Sequence, residues 1–167
     1  RPGLEVRVED FLRAADPAEP FAVVGNLPFA LTSAVVDRCL CAPALTSATL
    51  VTQREYARKR TGDYGRWSRL TVRTWPRFEW RLAGRVPRTS FRPVPGVDGG
   101  ILRIDRRDQP LVADEHEYRE FVDHGFTGVG GSLHATLAGR YGARRVAGAF
   151  RATRLATGTP VGAVWPE

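Results

Sequence analysis

The sequence predicts an α/β fold: a sheet with ligand-bearing loops at its strand ends, followed by a small all-α part. Two observations carry this. Short apolar runs at Phe21–Val24 and Ala48–Thr52, of the kind buried in a parallel sheet, flank a helical pattern. Beyond Asp108 the pattern turns to helices with glycine breaks and no strand, which places a domain boundary between 1–108 and 109–167.

Taken in order, Leu4 to Val8 alternates apolar and polar residues and predicts a strand running into a loop at Glu9-Asp10. Phe21–Val24 predicts a second strand, ending at Asn26-Leu27-Pro28-Phe29. Thr32 or Ser33 is the candidate cap for a helix that runs to about Cys41 and stops at Pro43. Ala48–Thr52 is the next strand, with Gln53-Arg54-Glu55-Tyr56 at its carboxyl end. Trp67 to Trp75 has helical spacing until Pro76 ends it. Phe78–Val86 and Ile101–Ile104 read as late strands, joined by the proline-rich Phe91–Asp98. Helical patterns then cover 114–124, 132–137 and 143–155, and spacing leaves open whether this tail packs on the sheet or faces RNA.

Composition excludes several classes. No apolar run approaches the roughly 20 residues of a membrane span, so the chain is expected to stay in the cytosol, apart from membranes. Cys39 and Cys41 are too close for an easy disulfide and read as buried thiols. His116, His124 and His134 lack metal-ligand spacing, so no metal is expected. Charge is concentrated: residues 54–92 hold twelve basic side chains against three acids, a local +9 that leaves −2 for the rest of a +7 chain. Such clustering points to nucleic acid, because guanidinium groups fork onto phosphate and stack on bases. The glycine cluster 125–132 follows no strand and reads as a loop, and Trp67, Trp75 and Trp80 read as core.

Asn26-Leu27-Pro28-Phe29 has the chemistry to hold a nucleobase amine. An amide supplies an acceptor, proline stiffens the backbone and removes a donor, and an aromatic ring offers a flat face. The competing reading is an Asn-x-Pro turn with Phe29 in the core.

Three blocks in one order carry a resemblance: Val24–Phe29, Val51–Gly62 and Ser90–Asp98. On them the chain resembles the Erm family of rRNA adenine N6-methyltransferases, within the wider rRNA adenine dimethylase group. The resemblance implies the carboxyl-side part of a Rossmann-like class I methyltransferase sheet followed by a small helical domain. It also implies S-adenosylmethionine as methyl donor and 23S rRNA as substrate, acted on by a monomer. By the same resemblance Asn26 and the Leu27 carbonyl would accept hydrogen bonds from the adenine N6 amine, Pro28 would keep the turn rigid and Phe29 would stack on the base. Asp10, Phe11 and Asn26 would lie at the cofactor. Arg54, Arg58, Lys59, Arg60, Phe91 and Arg92 would face RNA, with Phe91 near the adenine pocket. Two alternatives stay open: a small-subunit (16S) rRNA dimethylase, and an inactive RNA-binding fragment. The family's glycine-rich loop and the acid after its second strand have no counterpart in these residues. The expectation is therefore an amino-terminally truncated member with unpaired strand edges and an exposed apolar face.

Overall fold

The computed structural model describes residues 3–166; Arg1, Pro2 and Glu167 lie outside the described residues. Four strands form one sheet in the order β1-β2-β4-β3, with β1 Phe21–Asn26, β2 Leu45–Gln53, β3 Phe78–Val86 and β4 Gly99–Arg106. Among the described residues only β1 and β2 run parallel; β4 is antiparallel to both of its neighbours. The single parallel step is made by α1 (Thr32–Cys41), which packs Val35, Val36 and Cys39 into the core. Two short helices, α2 (Arg54–Arg60) and α3 (Arg69–Thr74), lie between β2 and β3.

Three sequence expectations are corrected. Leu4 to Val8 forms no strand: its alternation has no pairing partner among the described residues, and Val8 is 100% exposed. A strand exists only where a neighbour takes its N–H and C=O groups, so periodicity alone does not make one. Phe21–Val24 is not buried on both faces; as an edge strand it alternates, leaving Val24 82% exposed. No side chain caps α1. A short 3-10 turn at Phe29–Leu31 leads into it, and the Thr32 hydroxyl is buried without a partner.

The sheet centre is the tightest part of the structure. Leu50 and Leu102 face one another across β2 and β4, as do Ala48 and Ile104, and all four are fully buried. Trp67, Trp75 and Trp80 join this cluster as expected, Trp67 meeting Trp75 edge to face at 5.2 Å between centroids.

Beyond β4 come α4 (Glu115–Gly125), α5 (Leu133–Tyr141) and α6 (Ala143–Ala152). Their starts follow from local chemistry: Asp114 accepts from Glu117 N–H and Ser132 from Ala135 N–H, the capping pattern of polar residues ahead of helices. The glycine cluster is the turn between α4 and α5, with Gly128, Gly130 and Gly131 at positive φ. Leu133, Leu137, Val146 and Phe150 make a second, separate apolar cluster. The tail packs on the sheet half: Tyr118 Oη donates to the Val72 carbonyl at 2.9 Å, and Arg77 pairs with Glu115 at 2.6 Å.

The two thiols differ from each other. Cys39 is buried, and burial pushes its pKa up to about 11, whereas Cys41 is exposed rather than buried as the sequence implied. Ellman's reagent at pH 8 is expected to titrate one thiol in the native protein and two after unfolding; two fast-reacting native thiols would contradict this packing.

Candidate active site

The Asn26–Phe29 turn is built by the sheet. β1 ends level with Val51 of β2, and the Leu27 N–H donates to the Val51 carbonyl at 3.2 Å, which fixes the first residue past the strand. Pro28 has no N–H, and its carbonyl accepts from Leu31 N–H at 2.9 Å to start the 3-10 turn. Asn26 is exposed, and its side chain makes no hydrogen bond among the described residues, so its amide is available to a ligand. Phe29 is half-buried and meets Phe91 edge to face, 6.2 Å between centroids and 66° between planes.

Phe91 reaches that position from the connection between β3 and β4. Gly99 leaves the space it needs, since a Cβ there would stand 3.0 Å from the Phe91 ring. Phe29 and Phe91, 62 positions apart and from the first and third sequence blocks, thus share one aromatic corner at the turn that Asn26 opens.

The second block forms α2. Gly100 lets it lie directly on β4, where a Cβ would meet the Arg54 Cα at 3.0 Å and Ala57 at 3.1 Å. The Arg54 N–H donates to the Asp98 carbonyl at 2.9 Å. Arg58 pairs with Asp63 and lies over the Tyr64 ring at 4.0 Å, and Lys59 is exposed. Arg60 is engaged inside the chain, in contrast to its expected outward aim: it donates to Ser68 Oγ at 3.0 Å and covers the Tyr56 ring at 4.8 Å. Arg92 is exposed, with Nη1 donating to the Thr89 and Phe91 carbonyls at 2.9 Å, so it also braces the loop that carries Phe91. Gly62, closing the block, has φ +70°, and a Cβ there would lie 2.6 Å from Trp67. Gly62→Ala is expected to cost about 2–4 kcal/mol through left-handed strain and overpacking. Urea denaturation reads this directly, and an unchanged midpoint would contradict the packing.

Asp10 and Phe11 make no hydrogen bond to Asn26 among the described residues. The Leu12 N–H donates to Asp10 Oδ1 at 2.9 Å, leaving the carboxylate exposed. The Phe11 ring carries the Arg38 guanidinium at 5.5 Å from its centroid and is 40% exposed. A carboxylate acceptor beside a flat ring suits the adenine end of a nucleoside cofactor.

Sequence reasoning missed a group beside α2. Asp98 Oδ1 accepts from Arg88 N–H at 2.9 Å and Oδ2 pairs with Arg85 at 2.7 Å. The Arg88 N–H does most to hold the Asp98 carboxyl below its ordinary range; burial opposes it, and the Arg85 hydrogen bond and then the Arg85 and Arg54 charges add to the lowering. Arg85 and Arg88 lie inside the basic stretch, but nothing in their spacing marks the aspartate that organises them. Among the described residues, no group of three or more His, Cys, Asp or Glu could hold a metal, and no helix is long and apolar enough to cross a membrane.

A strand-end Asn-Leu-Pro-Phe turn with a basic helix at the next strand, on a mixed sheet with a helical tail, defines a Rossmann-like methyltransferase architecture. The chain belongs to the ribosomal RNA adenine dimethylase family, which it matches over residues 3–166. It is 59% identical over 160 residues to an rRNA adenine N-6-methyltransferase of Streptomyces fradiae, covering 95% of this chain and 50% of that protein. The crystal structure of the 23S rRNA methyltransferase ErmE superposes with a TM-score of 0.91 at 52% identity, over 94% of this chain and 65% of that one. Identity is 31% over 154 residues, 87% of this chain and 55% of the relative, to ribosomal RNA small subunit methyltransferase A of a Synechococcus strain. The chain spans about half the length of the curated relatives it matches.

Proposed function

We propose that this chain supplies the adenine-binding side of an rRNA adenine N6-methyltransferase acting on 23S rRNA in the cytoplasm. The observation that carries the proposal is the uncommitted Asn26 amide at a strand end beside the Phe29–Phe91 corner. An exocyclic adenine amine is a poor nucleophile because its lone pair is delocalised into the ring. Acceptance of its two N–H bonds by Asn26 Oδ1 and the Leu27 carbonyl would turn the lone pair out of the ring plane and toward the methyl group. Phe29 would hold the extruded base by its face, which offsets part of the cost of unstacking it. Pro28 offers no competing donor at this point. Asn26 is a neutral amide and does not take the proton the amine gives up, and its exposure leaves water to do so.

S-adenosylmethionine, the donor implied by the family, would supply an activated methyl group, with Asp10 and Phe11 at its adenine end. Arg54, Arg58, Lys59, Arg92 and Phe91 would contact rRNA around the target base. Methylation at this amine would protect the ribosome against macrolide-, lincosamide- and streptogramin-type antibiotics, by the resemblance to the Erm family.

A chimaera in which this chain replaces the matching half of the Streptomyces fradiae relative tests the assignment. Methyl transfer to naked 23S rRNA, with little to 16S rRNA, is the expected result. Preference for 16S rRNA would move the chain to the small-subunit dimethylases, and salt-dependent RNA binding without transfer would leave only an RNA-binding role.

A further inference from the structure

A pocket of about 450 Å³ lies between α2 and the β3–β4 connection, lined by Arg54, Arg58, Tyr64, Arg85, Arg88 and Asp98. Glu55 also borders it, so four guanidinium groups face two carboxylates. These charges are unequally committed. Arg58 is paired with Asp63, and Arg85 with Asp98. Among the described residues, the Arg54 and Arg88 side chains have no acid within 4 Å and make no hydrogen bond.

Asp98 fixes all three arginines nearest to it by different atoms. Its carbonyl accepts from the Arg54 N–H, Oδ1 from the Arg88 N–H, and Oδ2 from Arg85 Nε at 2.9 Å. One aspartate therefore ties down the backbone of Arg54 and of Arg88, whose side chains both line the same polar pocket. The same loop begins at Phe91, against Phe29, and ends at Asp98. We propose that Arg54 and Arg88, positioned by Asp98, clamp a phosphodiester of the RNA strand on the far side of this loop from the adenine corner. The proposal rests on the reading that the chain takes rRNA, and it adds the site where the flanking backbone is held. Two guanidinium forks on one phosphate are the geometry that arginine serves better than lysine, and a backbone contact fixes register without reading sequence.

The test is fluorescence anisotropy of a labelled rRNA hairpin with this chain across a salt series. Arg88→Ala and Arg54→Ala are each expected to weaken binding about tenfold at low salt and to reduce the slope of log K against log salt by about one. Arg144→Ala, at an exposed position of α6, is expected to leave both unchanged. Asp98→Ala separates positioning from charge: removing an acid from a basic pocket should tighten RNA binding if only net charge matters, and weaken it if Asp98 sets the arginines. Asp98→Asn, which keeps an oxygen for the Arg88 N–H, should recover part of the loss. Salt-dependent binding that Arg54→Ala and Arg88→Ala leave intact would overturn the clamp and keep the rRNA reading. Saturable binding of inorganic phosphate, abolished by Arg88→Ala with no effect on RNA, would assign the pocket to free phosphate and also overturn the clamp. Absence of salt-dependent RNA binding by the unmodified chain would overturn both readings.

Discussion

Asn26→Ala is expected to lower methyl transfer by the Streptomyces fradiae chimaera about 10²–10³-fold, the usual cost of losing one preorganised polar contact to the reacting group. Two other quantities should stay nearly fixed. Asn26 is exposed and makes no hydrogen bond within the described residues, so its loss should change stability by no more than about 0.5 kcal/mol. RNA affinity should also hold, because the phosphate contacts assigned to α2 and the β3–β4 connection do not involve Asn26. Single-turnover transfer, hairpin anisotropy and urea denaturation on the same preparation separate the three. A fall in transfer matched by an equal fall in RNA binding would make Asn26 a binding residue and remove its assigned role at the amine.

Leu102→Ala is expected to have the largest effect on the fold, about 2–5 kcal/mol. Leu102 is 0% exposed on β4, the strand that joins the rest of the sheet to β3, and it lies between Leu50 and Leu82 in register. Truncation leaves a cavity with neighbours on both adjacent strands, and a pleated backbone held by ladder hydrogen bonds closes poorly around it. Against a total stability of about 5–15 kcal/mol for a domain, that is a large fraction. The urea midpoint should fall with an unchanged slope. A loss of stability below about 1 kcal/mol would mean that the sheet centre is packed less tightly than described.

Much of this architecture was legible because local chemistry and tertiary structure agree. Pro43 and Pro76 stop helical patterns where the structure stops them, and the helical patterns from 114 and 132 begin at the residues that the structure shows capping α4 and α5. The misreadings share one cause, which is that burial depends on neighbours. Leu4 to Val8 has strand periodicity without a strand to pair with, Phe21–Val24 is apolar on a face left open, and Cys41 lies on the exposed side of a helix whose Cys39 is inside. The α1 start was misplaced because the Pro28 carbonyl begins a 3-10 turn ahead of Thr32, leaving the hydroxyl no free amide to cap.

The site shows the same division. Asn26 and Phe29 lie in one four-residue stretch, so their shared chemistry could be read directly. That Phe91 joins them depends on Gly99 and on the pairing of β4 with both β2 and β3, which no local pattern reports. Arginine identity did not reveal which charges are spent. Arg60 is taken by Ser68 and Tyr56 and Arg58 by Asp63, whereas Arg88 was overlooked because the aspartate that positions it lies ten residues away.

In the proposed mechanism the Asn26-Leu27-Pro28-Phe29 turn presents an adenine through its exocyclic amine. Nucleoside mass spectrometry of 23S rRNA treated with the chimaera and S-adenosylmethionine should find methyl groups on N6 of adenosine, lost in Asn26→Ala. Methyl groups on a ring nitrogen, a ring carbon or a ribose oxygen, or N6 methylation undiminished by Asn26→Ala, would contradict the mechanism.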